Sequence, residues 1–186
     1  MEGTLHPTPA QLEAGLEDIR RSPRDGGRVE LIVLRPADGL REEVTDAVLD
    51  PEHGLVGDNW KARGSRHTDD GAADPERQLT LMNARAAALI AGDPTRRALA
   101  GDQLFVDLDL GADNLPPGTR LRLGAAVIEI SAAPHTGCAK FIARFGRDAG
   151  RWVNTGPGRE LSLRGVNATV VEPGIVAVGD PVHRLA

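Results

Sequence analysis

The chain is poor in several things that particular functions require. Its 186 residues include one cysteine, Cys138, no tyrosine, three phenylalanines and two tryptophans. A single cysteine excludes an internal disulfide, and no His or Cys pair shows the CxxC or HxxxH spacing of a classical zinc site. Scarce aromatics leave little material for stacking bases, and a net charge of −5 opposes a phosphate backbone. No nucleic-acid partner is therefore expected. No apolar run approaches the roughly 20 residues of a membrane span, so no membrane partner is expected either. The first residues, MEGTLHPTPAQLEAGLEDIRR, are polar and amphipathic and do not resemble a signal peptide. A reducing, cytoplasmic location follows as the expectation. There is also no GxSxG serine elbow and no Gly-rich Lys-Ser/Thr phosphate loop.

What is abundant is punctuation: 22 glycines and 13 prolines point to many turns and a β-containing fold. TPAQLEAGLEDIRR carries a capping-box pattern from Thr8 to Gln11, with Pro9 at the first helical position and Leu12, Leu16 and Ile19 at helical spacing. RVELIVLR and LREEVTDAVL read as two strands of a hairpin joined by Pro36-Ala37-Asp38-Gly39. Residues 61–76 lack apolar periodicity and read as a mobile surface loop, with His67, Asp69 and Asp70 as a solvated cluster. QLTLM reads as a strand, followed by a helix NARAAALIAG capped by Asn83. The remainder alternates short strands with turns, apart from helical patterns near 138–147 and 148–153. The length suits one compact domain: a helical extension over 1–27 packing on a domain over 28–186. Short strands with inserted helices predict a mainly β fold, a closed β-barrel core with several peripheral α-helices.

The cysteine lies in PHTGCAKFIARFG, residues 134–146. AVIEIS should run as a strand into a His135-Thr136-Gly137 turn, which places Cys138 at a helix N-terminus. Free backbone N–H groups there favour an anion, and Lys140, Arg144 and His135 add to that environment. Such a sulfur could be a nucleophile, a persulfide carrier or a ligand to a soft metal such as molybdenum. Equally, Cys138, Phe141, Ile142 and Phe145 are spaced as one apolar helix face, which suits a buried structural cysteine. Between Cys138 and Arg164 six basic residues face two acidic ones, a local charge of +4 in an acidic chain. A patch of this size suits a small anionic ligand.

GLVGD (54–58), RQLTLMN (77–83), GDQLFVDLDL (101–110), LPPGTRLRLGAAVIEIS (115–131), PHTGCAKFIARFG (134–146) and RGVNATVVEPGIVAVGDPV (164–182) together resemble a MOSC domain, the molybdenum cofactor sulfurase C-terminal type, over about residues 28–184. The resemblance implies a barrel like the pyruvate kinase barrel domain and places Cys138 where the family has a cysteine proposed to carry sulfur or bind molybdenum. It implies a pterin cofactor, molybdopterin, with Lys140, Arg144, Arg147, Arg164 and Asn167 as candidate contacts and His135 as a group that orients or protonates. A sulfur-donor or redox protein is an implied partner, and a sulfurtransferase or a molybdenum-dependent oxidoreductase the implied enzyme. Pyridoxal phosphate belongs to a separate aminotransferase-like domain of full-length sulfurases and is not expected here. Asp102-Gln103 departs from the Glu-Asn type segment of members that reduce N-hydroxylated compounds. Two other readings remain: a non-catalytic module binding an anionic pterin or metabolite, and a thiol-dependent transferase or lyase acting on a small metabolite.

Overall fold

The computed structural model describes residues 6–186. Its centre is a closed barrel of seven strands: β1 (Gly27–Leu34), β5 (Leu79–Asn83), β6 (Leu104–Asp107), β7 (Arg120–Leu123), β8 (Ala126–Ile130), β9 (Val166–Glu172) and β11 (Pro181–Arg184). Around the barrel the order is β1-β11-β7-β8-β9-β5-β6, and β1 closes it by pairing with both β6 and β11. All these pairs are antiparallel except β5–β6. A parallel neighbour needs a crossover, supplied here by helix α4 (Ala84–Ala91) and a 3₁₀ segment over Pro94–Ala100. The expected hairpin is present, since Leu34 pairs with Glu42 at the start of β2 (Glu42–Val44). LREEVTDAVL is not one strand, however. It breaks at Thr45, and β3 (Asp46–Asp50) leaves for a second, three-stranded sheet with β4 (Gly54–Leu55) and β10 (Gly174–Ala177).

Strand alternation sorts the apolar side chains into two cores. Leu79 and Leu81 of β5 and Leu104 and Val106 of β6 fill the barrel with Ile128, Ile130 and Val182. The alternate residues Met82 and Phe105 point outward under a helical layer. β1 contributes to both because its register shifts between Val29 and Leu31. Val29 and Ile32 lie in the barrel, while Leu31 and Val33 face the helices. The bulge changes the parity of the strand, and one segment thereby serves two layers.

The helical layer is built from α1 (Pro9–Ala14), α2 (Leu16–Arg20), α4 and α5 (Ala139–Asn154). The N-terminal helical pattern is divided at Gly15, and the Thr8–Gln11 capping box forms. Leu12, Leu16 and Ile19 are buried against the cluster that holds Phe141 and Phe145. Asn83 caps α4, accepting from Ala86 N at 2.9 Å and donating to Ser22 and Leu108. Two shorter helices, α3 (Trp60–Arg63) and α6 (Gly156–Glu160), complete the set.

Candidate functional site

Cys138 stands at the N-cap of α5, joined to β8 by an irregular segment, residues 131–137, that bends at Ala132 and Ala133 but does not form the expected tight turn over His135-Thr136-Gly137. Its side chain is exposed and makes no capping hydrogen bond. The buried-filler role is thereby excluded, because the apolar face of α5 begins one turn later. Phe141 and Phe145 are buried, with ring centroids 5.0 Å apart. They fix the helix and leave the sulfur free. The segment before Cys138 is clamped from the far end of the same helix: Gly137 N donates to Asn154 Oδ1 at 2.9 Å, and Asn154 Nδ2 donates to Gly150 O at 2.9 Å. A Cβ on Gly137 would lie 2.9 Å from Asn154 Nδ2, so a larger residue would displace this amide from its hydrogen bonds.

Cys138 sits on the rim shared by two cavities. The smaller, about 160 Å³, is lined by Arg35, Arg41, Arg63, Lys140, Arg144 and Arg164 together with Asp38. Carboxylates offset some of these cations. Arg35, 7% exposed, is held by Asp58 at 2.7 and 2.9 Å and donates to Gly101 O at 2.9 Å. Lys140 reaches Asp38 at 2.8 Å, and Arg164 reaches Asp102 at 2.6 Å. Among the described residues Arg41, Arg63 and Arg144 have no carboxylate partner. Burial and the neighbouring Arg144 and Arg35 press the Arg41 guanidinium below its ordinary value, and its Nε is buried without a hydrogen-bond partner. Asp58 and Asp38 offset this crowding only in part. The volume accommodates a phosphate-sized group.

Across the 134–137 segment lies a third cavity of about 570 Å³, and the partition is a buried polar cluster. His135 Nε2 approaches Asp102 Oδ1 at 3.1 Å and its Nδ1 approaches Asn167 Oδ1 at 3.3 Å. Asn167 Nδ2 is committed to Ala133 O at 2.9 Å. Both ring nitrogens therefore face oxygens, a pattern that only the imidazolium could satisfy fully. The contact to Asp102 is poorly aligned: it is an ion-pair approach, and neither atom has a directed hydrogen-bond partner. Burial and the Arg164 charge hold His135 below its ordinary value of 6.5 against the pull of Asp102. Burial alone would raise Asp102, but Arg164 and then His135 overcome it and keep the carboxyl low. The cluster at neutral pH is thus an Asp102–Arg164 ion pair beside a neutral imidazole. The Arg164 guanidinium also lies 4.9 Å from the Phe141 ring centroid, which ties the cluster to the first turn of α5.

The six residues singled out besides Cys138 separate in space. Lys140, Arg144 and Arg164 share the arginine cavity with the sulfur. His135 and Asn167 face the cavity on the other side of the 134–137 segment, and no hydrogen bond joins His135 to Cys138 among the described residues. Arg147 is exposed and lines none of the three cavities. Arg35, Arg41, Asp58 and Arg63 are additions. Asp58 lies in the GLVGD motif, and that was the available signal.

The MOSC domain model matches residues 72–183. The chain belongs to the MOSC domain family. Among solved structures the YuaD protein from Bacillus subtilis superposes with a TM-score of 0.59 at 18% identity, covering 85% of this chain and 94% of that one. YiiM from Escherichia coli gives 0.55 at 24% identity over 86% of this chain and 70% of its own. YiiM from Geobacillus stearothermophilus gives 0.60 at 13% identity, covering 86% and 75%. No curated protein matches the chain. At these identities the structural likeness concerns the fold, which is the MOSC barrel with peripheral helices.

A pterin cofactor carrying phosphate and a soft metal can be tested against this MOSC site. The arginines without a carboxylate partner and the orphaned Arg41 Nε suit its phosphate. No group of three His, Cys, Asp or Glu among the described residues is placed to hold an ion. One thiol can hold a soft metal only if the ligand brings most of the coordination shell, as a dithiolene does. The residues fit such a group.

Proposed function

We propose that this MOSC protein handles sulfur or the molybdenum cofactor through Cys138, which carries a sulfur atom as a persulfide or ligates molybdenum. The observation that carries the reading is the exposed thiol on a cavity in which Arg41, Arg63 and Arg144 have no carboxylate partner among the described residues. Arg41 and Arg144 would hold the phosphate, with Lys140, drawn toward Asp38 at 2.8 Å, lining the same cavity. When bound, the cofactor supplies the metal at which oxygen-atom or electron transfer occurs. His135 is set apart from the thiol and works through Asp102 and Arg164, holding the wall of the cavity and the start of α5. The enzyme class supported is a sulfurtransferase or a molybdenum-dependent oxidoreductase.

The reading is tested by sulfur and metal analysis of the protein purified from its own host, beside Cys138→Ser. Cyanide-labile sulfur or molybdenum approaching one equivalent is expected in the parent and none in the variant. The exposed position predicts a stability change within about 0.5 kcal/mol. A variant that retains its ligand in full would instead identify a binding module in which the thiol has no part.

A further inference from the structure

The second cavity on the rim of Cys138 is the larger, about 680 Å³, and it is not the arginine cavity. Its floor is the Trp60 side of α3, and its wall is the segment that follows, residues 64–74. That segment was expected to be a mobile loop, yet it is internally bonded. Ser65 N donates to Gly71 O at 3.2 Å, and Thr68 Oγ1 donates to Ala72 O at 2.7 Å. Trp60 Nε1 donates to Asp74 O at 3.2 Å and ties the wall to the floor.

The charge lining this cavity is one-sided. Its one carboxylate, Asp74, is already taken by Arg77. Arg63 and Arg66 have no carboxylate partner among the described residues, and Lys140 lies at the mouth. The cavity has the volume of a metabolite site. Both arginines are exposed and line the same cavity as Cys138, where a carboxylate, sulfonate or phosphate group would complete their guanidiniums and a neutral substrate would not. We infer that this cavity is the substrate site and that it selects a small organic anion, engaged by Arg66 and Arg63 and presented to whatever Cys138 carries. The inference rests on Cys138 being the working sulfur. It assigns separate cavities to the cofactor's phosphate and to the substrate, with the sulfur between them.

The test compares alkylation of Cys138 by iodoacetate, an anion, with alkylation by iodoacetamide, its neutral analogue. At low ionic strength the iodoacetate-to-iodoacetamide rate ratio is expected to exceed that of glutathione by about tenfold and to fall as salt is added. Arg66→Glu should lower the ratio about fivefold or more. Arg147→Glu, the same charge change on an exposed residue outside the three cavities, should leave it within about twofold. A ratio equal to that of glutathione, an equal response to both variants, or no modification by either reagent overturns the inference. So does loss of bound sulfur or cofactor from Arg66→Glu purified from the host, because the cavity would then belong to the cofactor. If the host protein carries neither sulfur nor molybdenum while the ratio and its Arg66 dependence hold, the cofactor reading fails and the anion site stands.

Discussion

At the residue scale the most exposed consequence of the structure concerns charge in the buried partition. Arg164 is 6% exposed and is compensated by Asp102 alone among the carboxylates. Asp102→Asn leaves that guanidinium buried without its counter-charge, at an expected cost of about 3–5 kcal/mol in urea unfolding. His135 provides a pH signature. Its folded value lies below 6.5, so above 6.5 it is neutral whether folded or not, and its contribution is complete. As pH falls through 6.5 the unfolded chain takes up a proton that the folded one refuses, and stability declines until the folded value is passed. Asp102 contributes in the same direction at lower pH, beginning to lose its share as pH falls through 3.8. His135→Gln should therefore flatten the decline of unfolding free energy between about pH 7.5 and pH 5 relative to the parent. An unchanged slope would mean that the imidazole is not buried as described. Cys138, Lys140 and Arg144 were legible because one short motif holds all three. The partners of His135 were not, since Asp102 and Asn167 come from distant segments and meet it only in the folded chain.

At the element scale α5 is two helices joined at Gly146, where φ is 87° and ψ 165°. This backbone region is accessible essentially to glycine alone. Gly146→Ala is expected to cost about 1–3 kcal/mol, read as a lower midpoint in thermal or urea unfolding. A neutral effect would show that the bend belongs to the packing and not to the residue. The bend lets the first segment present Cys138 and bury Phe141 and Phe145, while the second returns Asn154 to the residues before the sulfur. Both halves were readable in sequence because apolar spacing restarts after the glycine. The split of LREEVTDAVL into β2 and β3 was not readable. Alternation marks a strand and its faces, but nothing local marks a change of sheet.

For the molecule as a whole, closure of the barrel makes the site. Gly27 at one end of the chain pairs with Val182 at the other, and no local pattern announces such a pairing. Many short strands and abundant turns predicted a barrel; the order of its strands came from tertiary packing. The same closure gathers Arg35, Arg41, Asp58 and Arg63 from the first half of the sequence around a thiol from its last third. The basic run after Cys138 supplied only part of the cavity, and Arg147 within that run faces solvent. The acidic whole thus carries a cationic interior site whose charge is hidden in the net value. The most direct measurement is the native mass of the intact protein purified from its own host, taken before and after chemical reduction. The proposed role of Cys138 predicts a mass above that of the sequence by one sulfur atom, lost on reduction, or by a molybdenum-bearing pterin lost on denaturation, with neither present in Cys138→Ser. The bare sequence mass in both proteins, with no molybdenum, would contradict it.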